Sequence, residues 1–206
     1  MNQPLHILPR PAMAGEFVPG HYFRPLAAEE LVRGGRPLEI DLGCGDGGFL
    51  LDMARCHPER DFLGVERLLG RVRKVCRKIS RAGLENARVL RLDNKYVIEW
   101  LLPAACVSRL HVMCPDPWPK VRHHRRRLIQ ADFLHAVRRV LRDDGEFLFM
   151  TDHEEYHEWA REKIDATGVF ESLPWEEDTF FHAKTDFQRQ WEAEGKTMHR
   201  QRFRKR

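Results

Sequence analysis

The chain has 206 residues, of which 42% are hydrophobic and 32% are charged, and its formal net charge is +4 at pH 7. This length predicts one sizeable domain, and no apolar run approaches the roughly 20 residues that a membrane-spanning helix requires. The five cysteines form no C-x-x-C pair, which argues against a zinc site and a disulfide framework and favours a reducing cytoplasm.

The predicted elements alternate between strands and helices along most of the chain. Residues 1–25 are interpreted as a flexible arm without a signal peptide, and residues 26–206 as one domain. Strands are predicted at 37–42, 61–66, 88–92, 110–114, 146–151, 169–173 and 197–203. Helices are predicted at 26–33, 47–56, 69–82, 95–102, 126–141, 153–167 and 185–194. The alternation predicts an α/β fold, with a mostly parallel sheet of seven strands and helices on both faces.

Acidic residues lie where the predicted strands end. In an open α/β sheet, ligands bind outside the carboxyl ends of the strands. Each acid could instead serve local structure, as Asp152 could by capping the helix that follows it. Acids at so many successive strand ends favour a ligand site over separate caps. These ends are the segment 39–45, Glu66, Asp93, Asp116 and Asp152.

A glycine-rich turn follows the first of these strands. Gly43, Gly45 and Gly48 fit the pattern G-x-G-x-x-G, and Glu66 lies at the spacing of a ribose-binding acid. Dinucleotides and S-adenosylmethionine both use such a turn, but a dinucleotide presents a pyrophosphate to it. Carboxylates repel a pyrophosphate and attract the ammonium and sulfonium groups of S-adenosylmethionine. Three acids surround the turn and favour S-adenosylmethionine as the cofactor: Glu39, Asp41 and Asp46.

The segment 114–127 combines a stiff turn with a block of cations. Pro115 and Pro117 fix the backbone on either side of Asp116. This block continues to residue 142, and two further basic stretches at 67–81 and 196–206 favour a phosphate-rich partner. We expect the cations that follow the turn to bind phosphates: Lys120, Arg122, Arg125, Arg126 and Arg127.

In their order along the chain, these segments resemble the bacterial tRNA (guanine-N7-)-methyltransferases. The matching segments are 38–45, 61–66, 86–89, 115–127, 151–156 and 185–188, and the run P-D-P-W-x-K-x-R-H-x-x-R-R is the most specific of them. The resemblance implies a Rossmann-like class I methyltransferase fold. It also implies methyl transfer from S-adenosylmethionine to N7 of the variable-loop guanine of tRNA, nucleotide 46.

The resemblance also implies roles for individual residues. Those implied to bind the cofactor are Glu39, Gly43, Gly45, Glu66, Asp93 and Asp116, and Asp116 is also implied to be catalytic. Those implied to bind tRNA are Lys120, Arg122, Asp152, Thr185, Phe187 and Gln188. We expect no metal, no DNA and no membrane among its partners, and a monomer, with a homodimer as the alternative.

Three positions depart from the family pattern. Asp41 stands where a small residue or glycine is usual, Asn94 replaces an alanine, and Gln188 replaces a glutamate. The last change leaves open a non-catalytic tRNA-binding protein on the same fold. A methyltransferase that acts on another RNA is a further alternative, whereas the basic stretches argue against a small-molecule substrate.

Overall fold

The strands of the computed structural model form one eight-stranded sheet within the described residues, which are 12–32, 34–175 and 182–206. All seven predicted strands are present, so the predicted α/β fold is confirmed and only the strand number was too low. The additional strand has two residues, too few for any periodic pattern to reveal it. The strands are β1 Glu16–Phe17, β2 Leu38–Leu42, β3 Asp61–Val65, β4 Ala87–Leu90, β5 Val107–Met113, β6 Leu141–Thr151, β7 Phe170–Leu173 and β8 His199–Lys205.

The strand order places a switch point in the middle of the sheet. The order is β1-β4-β3-β2-β5-β6-β8-β7, and only β8 runs antiparallel to its neighbours. The chain moves outward from β2 through β3 to β4, then crosses back to β5 on the other side of β2. Where the connections that follow two neighbouring parallel strands lead in opposite directions, a crevice forms at the carboxyl ends of those strands. The fold therefore opens a binding site beside β2 and β5.

The helices cover both faces of the sheet and follow the predicted segments closely. They are α1 Ala28–Leu31, α2 Gly48–Cys56, α3 Leu69–Ala82, α4 Asn94–Tyr96, α5 Ala131–Val140, α6 Glu154–Thr167 and α7 Asp186–Ala193. A π-helical turn at Val97–Leu101 extends α4, and a 3₁₀ helix occupies Val121–Arg126. The helix predicted from residue 126 begins later, because the extended backbone of Arg127 and Gln130 separates the 3₁₀ helix from α5.

Helix α3 shows why the basic stretch 67–81 is helical. Its apolar side chains recur at helical spacing and are buried against the sheet: Val72, Val75, Cys76 and Ile79. The cations occupy the opposite face, and Gly83 ends the helix in a left-handed conformation with φ 63°. The stretch is thus one amphipathic helix whose charged face lies outward.

The predicted arm is partly described. Residues 1–11 lie outside the described residues. Further along, β1 pairs in parallel with β4, and the backbone N–H of Leu26 donates to the carbonyl of Leu101 at 2.9 Å. Among the described helices, none combines the length and apolar character needed to cross a membrane.

Candidate functional site

A cleft of about 1130 Å³ lies at the carboxyl ends of the parallel strands. Its wall comprises the glycine turn, the ends of β3 to β6, the segment 113–118 and the start of α7. Eight of the predicted site residues line it: Gly43, Gly45, Glu66, Asp93, Asp116, Asp152, Thr185 and Phe187. Four others do not: Glu39, Lys120, Arg122 and Gln188.

The glycine turn presents bare backbone to the cleft. Gly43 and Gly45 have φ angles of 80° and 55°, which side chains strongly disfavour. The N–H groups of Gly43 and Cys44 donate to the carbonyl of Val65 at 2.9 and 3.0 Å. These bonds fasten the turn to β3, so a ligand can approach its backbone closely.

Glu39 lies on β2 but does not reach the cleft. Its carboxylate is fully buried and receives a hydrogen bond from Arg60 at 2.8 Å, while His111 Nε2 lies 2.8 Å from Oε2. Arg109 approaches the same carboxylate at 3.4 Å. Burial raises the pKa of Glu39, but His111 and the two arginines outweigh it and bring the pKa to about 2. Glu39 is therefore an ionised member of an interior charge network.

Asp41 reaches the cleft instead. It lies two residues further along the same face of β2, about 7 Å closer to the carboxyl end. Its Oδ2 is buried and has no hydrogen-bond partner among the described residues. Burial, followed by the charge of Glu66, raises the pKa of Asp41 to about 7. A buried carboxyl group without a partner, in a cleft wall, favours a cationic ligand.

The next two acids, Glu66 and Asp93, are each oriented by hydrogen bonds from backbone N–H groups. Glu66 Oε1 accepts a hydrogen bond from the N–H of Leu68 at 2.7 Å. Asp93 Oδ1 accepts from Lys95 and Tyr96 at 3.0 and 3.1 Å and so caps α4. These bonds fix the orientation of both side chains. Glu66 Oε2 also lies 3.7 Å from Arg71 Nη1, whereas the bonds of Asp93 involve Oδ1 and leave Oδ2 for a ligand.

The turn around Asp116 is held in a strained conformation. Cys114 and Trp118, on either side of it, have positive φ angles of 54° and 44°. Asp116 itself is exposed, and its carboxylate makes no hydrogen bond or ion pair with a described residue. Arg127 Nε donates to the carbonyl of Pro117 at 2.8 Å and holds the turn from beneath. The turn therefore projects an unpaired carboxylate on a rigid support.

Arg127 is buried, so the expectation that it binds phosphate is wrong. Only 2% of its surface is exposed. Its guanidinium group forms two hydrogen bonds with Glu155, at 3.0 and 2.5 Å. It also lies over the rings of Tyr156 and Trp159, at 4.9 and 5.0 Å from their centroids. Arg127 therefore belongs to the interior, and it connects the Asp116 turn to α6.

The other cations of the block lie outward. Arg125 and Arg126 line the cleft, whereas Lys120 and Arg122 are exposed beside it. The guanidinium group of Arg126 lies 5.0 Å from the ring centroid of Trp118 and covers one face of that ring. The 3₁₀ helix thus forms a basic rim along one side of the cleft.

Asp152 does not cap α6, although its position just before the helix suggested that role. The cap of α6 is His153, whose Nδ1 accepts from the N–H of Tyr156 at 3.2 Å. Asp152 lines the cleft and makes no side-chain hydrogen bond with a described residue. It remains available for a ligand.

Helix α7 closes the cleft with an aromatic pair. The hydroxyl of Thr185 accepts from the N–H of Gln188 at 2.9 Å and caps the helix. Phe187 is 49% exposed and stacks on Trp191 with a centroid distance of 5.3 Å. Gln188 is buried and turns away, with Nε2 donating to Glu192 at 2.8 Å. Sequence reasoning missed Trp191, since no spacing pattern marks it as a site residue.

Comparisons with known proteins show similarity to methyltransferases over most of the chain. The family model described as "Putative methyltransferase" matches residues 35–201. A tRNA (guanine-N(7)-)-methyltransferase of Marinobacter nauticus is 43% identical over 133 residues, which are 65% of this chain and 56% of that protein. One of Syntrophotalea carbinolica is 30% identical over 166 residues, 79% of this chain and 72% of that protein. The matched part thus spans little more than half of some relatives and nearly three quarters of others.

Solved structures share the fold at low sequence identity. The aminoglycoside resistance methyltransferase NpmB1 aligns with a TM-score of 0.59 and 22% identity, over 88% of this chain and 94% of that one. A structure titled an antibiotic-related methyltransferase aligns with a TM-score of 0.59 and 18% identity, over 94% of this chain and 97% of that one. The sheet and its helices are therefore those of the methyltransferases.

Proposed function

The chain belongs to the tRNA (guanine-N7-)-methyltransferase family, and on that premise we propose that it transfers a methyl group from S-adenosylmethionine to N7 of the variable-loop guanine of tRNA, nucleotide 46. The observation that carries the proposal is the cleft, where a bare glycine turn, a partnerless buried carboxyl group and the projecting Asp116 converge. Such a substrate implies a cytoplasmic protein.

The cofactor set that we propose differs from the predicted one at a single position. Asp41 replaces Glu39, because Asp41 lines the cleft and has an unsatisfied oxygen, whereas Glu39 is saturated by its neighbours. Gly43 and Gly45 give close approach to the backbone, and Glu66 and Asp93 offer oxygens suited to a ribose hydroxyl and an adenine amine. S-adenosylmethionine supplies an electrophilic methyl group when bound.

Asp116 is the proposed catalytic residue. Guanine N7 already carries an exposed lone pair, so no base is needed to unmask it. The ring becomes cationic as N7 is alkylated, and a fixed carboxylate stabilises that charge while it accepts hydrogen bonds from the Watson–Crick edge. The strained, Arg127-supported turn keeps Asp116 in position before the base arrives, which lowers the cost of reorganisation.

The opposite wall supplies a surface for the base. A variable-loop guanine must leave the tRNA tertiary fold before it can enter a cleft. Phe187 is half exposed, already stacked on Trp191, and lines the cleft, so it offers a rigid face for stacking. Asp152 and Thr185 also line the cleft and are proposed to contact the target nucleotide.

One experiment tests the proposal directly. Purified protein is incubated with labelled S-adenosylmethionine and tRNA that lacks the modification, and digested tRNA is searched for 7-methylguanosine. We expect label in that nucleoside, and an Asp116→Asn variant that binds tRNA normally but turns over about 100-fold more slowly, the usual effect of removing one preorganised electrostatic group.

Two outcomes would contradict parts of the proposal. Label in another nucleoside, or in another RNA only, would change the reaction assigned to the cleft. Tight, salt-sensitive tRNA binding without any label would favour the non-catalytic alternative, which the substitution at Gln188 raised. The buried position of Gln188, outside the cleft, weakens that alternative.

A further inference from the structure

A second concave surface adjoins the cleft. It is a groove of about 400 Å³ between α2, α3 and α7. Four cations line it: Arg55, Lys78, Arg81 and Arg189. One carboxylate, that of Asp52, lies among them. No residue of the predicted site lies in it.

The ion pairs within the groove do not neutralise all of its positive charge. Arg55 and Arg189 share Asp52, at 2.9 and 3.4 Å, and Arg189 also meets Asp186 at 3.1 Å. Lys78 donates only to the backbone carbonyl of Asp46, at 2.7 Å. Arg81 is exposed and makes no ion pair or hydrogen bond with a described residue. The groove is thus cationic even after its neighbours are counted.

The charged face of α3 extends the groove outward. Arg73 and Arg77 lie on that helix, are exposed, and make no ion pair with a described residue. Arg77 and Arg81 are four residues apart, so they lie one above the other on the helix surface. A polyanion seated in the groove would meet both.

The groove and the cleft share one residue. Gly48, the first residue of α2, lines both. The basic rim formed by the 3₁₀ helix, with Arg125 and Arg126, lines another part of the cleft. Cations therefore border the cleft at two places, as an electrostatic track for a strand that passes over it would require.

We infer that the groove between α2, α3 and α7 binds backbone phosphates of the tRNA whose guanine enters the cleft. The inference rests on the proposed function and adds a docking surface to it. The RNA strand runs from the 3₁₀ rim, across the Asp116 turn, to the groove. RNA phosphates suit the site better than an acidic peptide, because the groove cations of three helices continue into the exposed Arg73 and Arg77 of α3 and so extend over a surface long enough for successive backbone phosphates.

The test compares two variants with equal change in net charge. Arg55→Glu/Arg81→Glu reverses two groove cations and leaves Lys78 on the glycine-turn backbone. Arg138→Glu/Arg142→Glu is the control, since Arg142 follows Leu141, which pairs with Val107 at the start of β5, roughly 20 Å along the strands from their carboxyl ends. Thermal unfolding and S-adenosylmethionine affinity, measured for each full-length variant, should match the wild type and show that the cleft is intact.

Binding of unmodified tRNA is then measured against salt concentration. We expect the groove variant to bind tRNA at least about tenfold more weakly at low salt. The slope of the logarithm of the binding constant against the logarithm of salt concentration should become shallower by about 1.5 to 2, since two phosphate contacts are lost and each contributes nearly one. KM for tRNA should rise, with kcat nearly unchanged. The control should stay within about twofold of the wild type.

The outcomes separate the groove from the proposed function. If the wild type methylates tRNA and the groove variant keeps the wild-type affinity and slope, the groove is not a phosphate site while the function stands. If the control loses as much as the groove variant, net charge alone explains the effect and the inference fails. If the wild type neither binds nor methylates tRNA, the proposed function fails and the groove's assignment falls with it.

Discussion

Strand β2 carries two buried carboxylates on one face, with opposite environments. Glu39, deeper along the strand, is surrounded by Arg60, Arg109 and His111, and its pKa is about 2. Asp41 has no partner for Oδ2, and its pKa is about 7. The first residue is satisfied by the protein itself and the second is left for a ligand. Burial alone does not distinguish a structural acid from a binding acid; the presence of partners does.

The largest expected effect comes from breaking the interior network. Glu39→Gln removes the fully buried carboxylate that Arg60, Arg109 and His111 share, although Arg60 and Arg109 keep Glu59 and Glu146, so we expect the free energy of unfolding to fall by about 3 kcal/mol. Asp41→Asn removes an unpaired buried charge, so at pH 8 we expect no loss or a gain of about 1 kcal/mol. Denaturant unfolding of both variants at that pH measures the contrast. Equal losses would show that the two acids play the same part.

For cofactor affinity, we expect the larger effect from the Asp41 variant and the smaller one from the Glu39 variant. Asp41→Asn is expected to weaken S-adenosylmethionine binding by about tenfold at pH 8, since a charge-assisted contact is lost, while the folded fraction of Glu39→Gln binds normally. Calorimetric titration of the two variants decides this. Weak binding by Glu39→Gln alone would return the cofactor role to Glu39.

The pH dependence of that binding follows from Asp41. Its pKa is raised to about 7 in the free protein, and a cation binds the ionised form better, so binding releases a proton below pH 7. Wild-type affinity should therefore decline as pH falls below 7, by up to about tenfold per pH unit, and the decline should vanish in Asp41→Asn. An unchanged profile in the variant would show that another group titrates.

Stability in acid should depend on His182. Burial, then the charges of His111 and Arg109, lower the pKa of His182 to about 2, so the folded protein keeps it neutral while the unfolded chain protonates it below pH 6.5. Stability should therefore fall below pH 6.5, with a contribution from His182 of at most about 1.4 kcal/mol per pH unit. Glu39 adds to the loss only below pH 4.5, as pH falls towards 2. His182→Gln should flatten the upper part of the curve; an identical curve would exclude this histidine as the source.

The sequence predicted the sheet more fully than the site. Alternation and glycine spacing revealed seven strands and the turn, because both are local patterns. Glu39 and Asp41 are two residues apart on one strand and so share a face, but such spacing carries no information about depth along the strand, and depth decides which one meets the cleft. Likewise, Arg125 and Arg127 look equivalent in a run of cations, and only packing against Tyr156 and Trp159 takes Arg127 inside.

The groove could not be read from the sequence for a different reason. Its cations come from three helices that are separated by more than a hundred residues of chain, from Arg55 to Arg189. Neither α2 nor α7 carries a basic run of its own. Tertiary structure creates this charge density, so no window along the chain contains it.

The contact between Gly48 and α7 has a consequence for protein engineering. A Cβ on Gly48 would lie 2.7 Å from the carboxylate oxygens of Asp186, so a side chain at residue 48 would require that exposed carboxylate to move. Residues 48 and 186 are therefore coupled in any exchange of residues 185–193 that aims to accept a different base. A library that varies the two positions together can sample new shapes for the wall of the cleft.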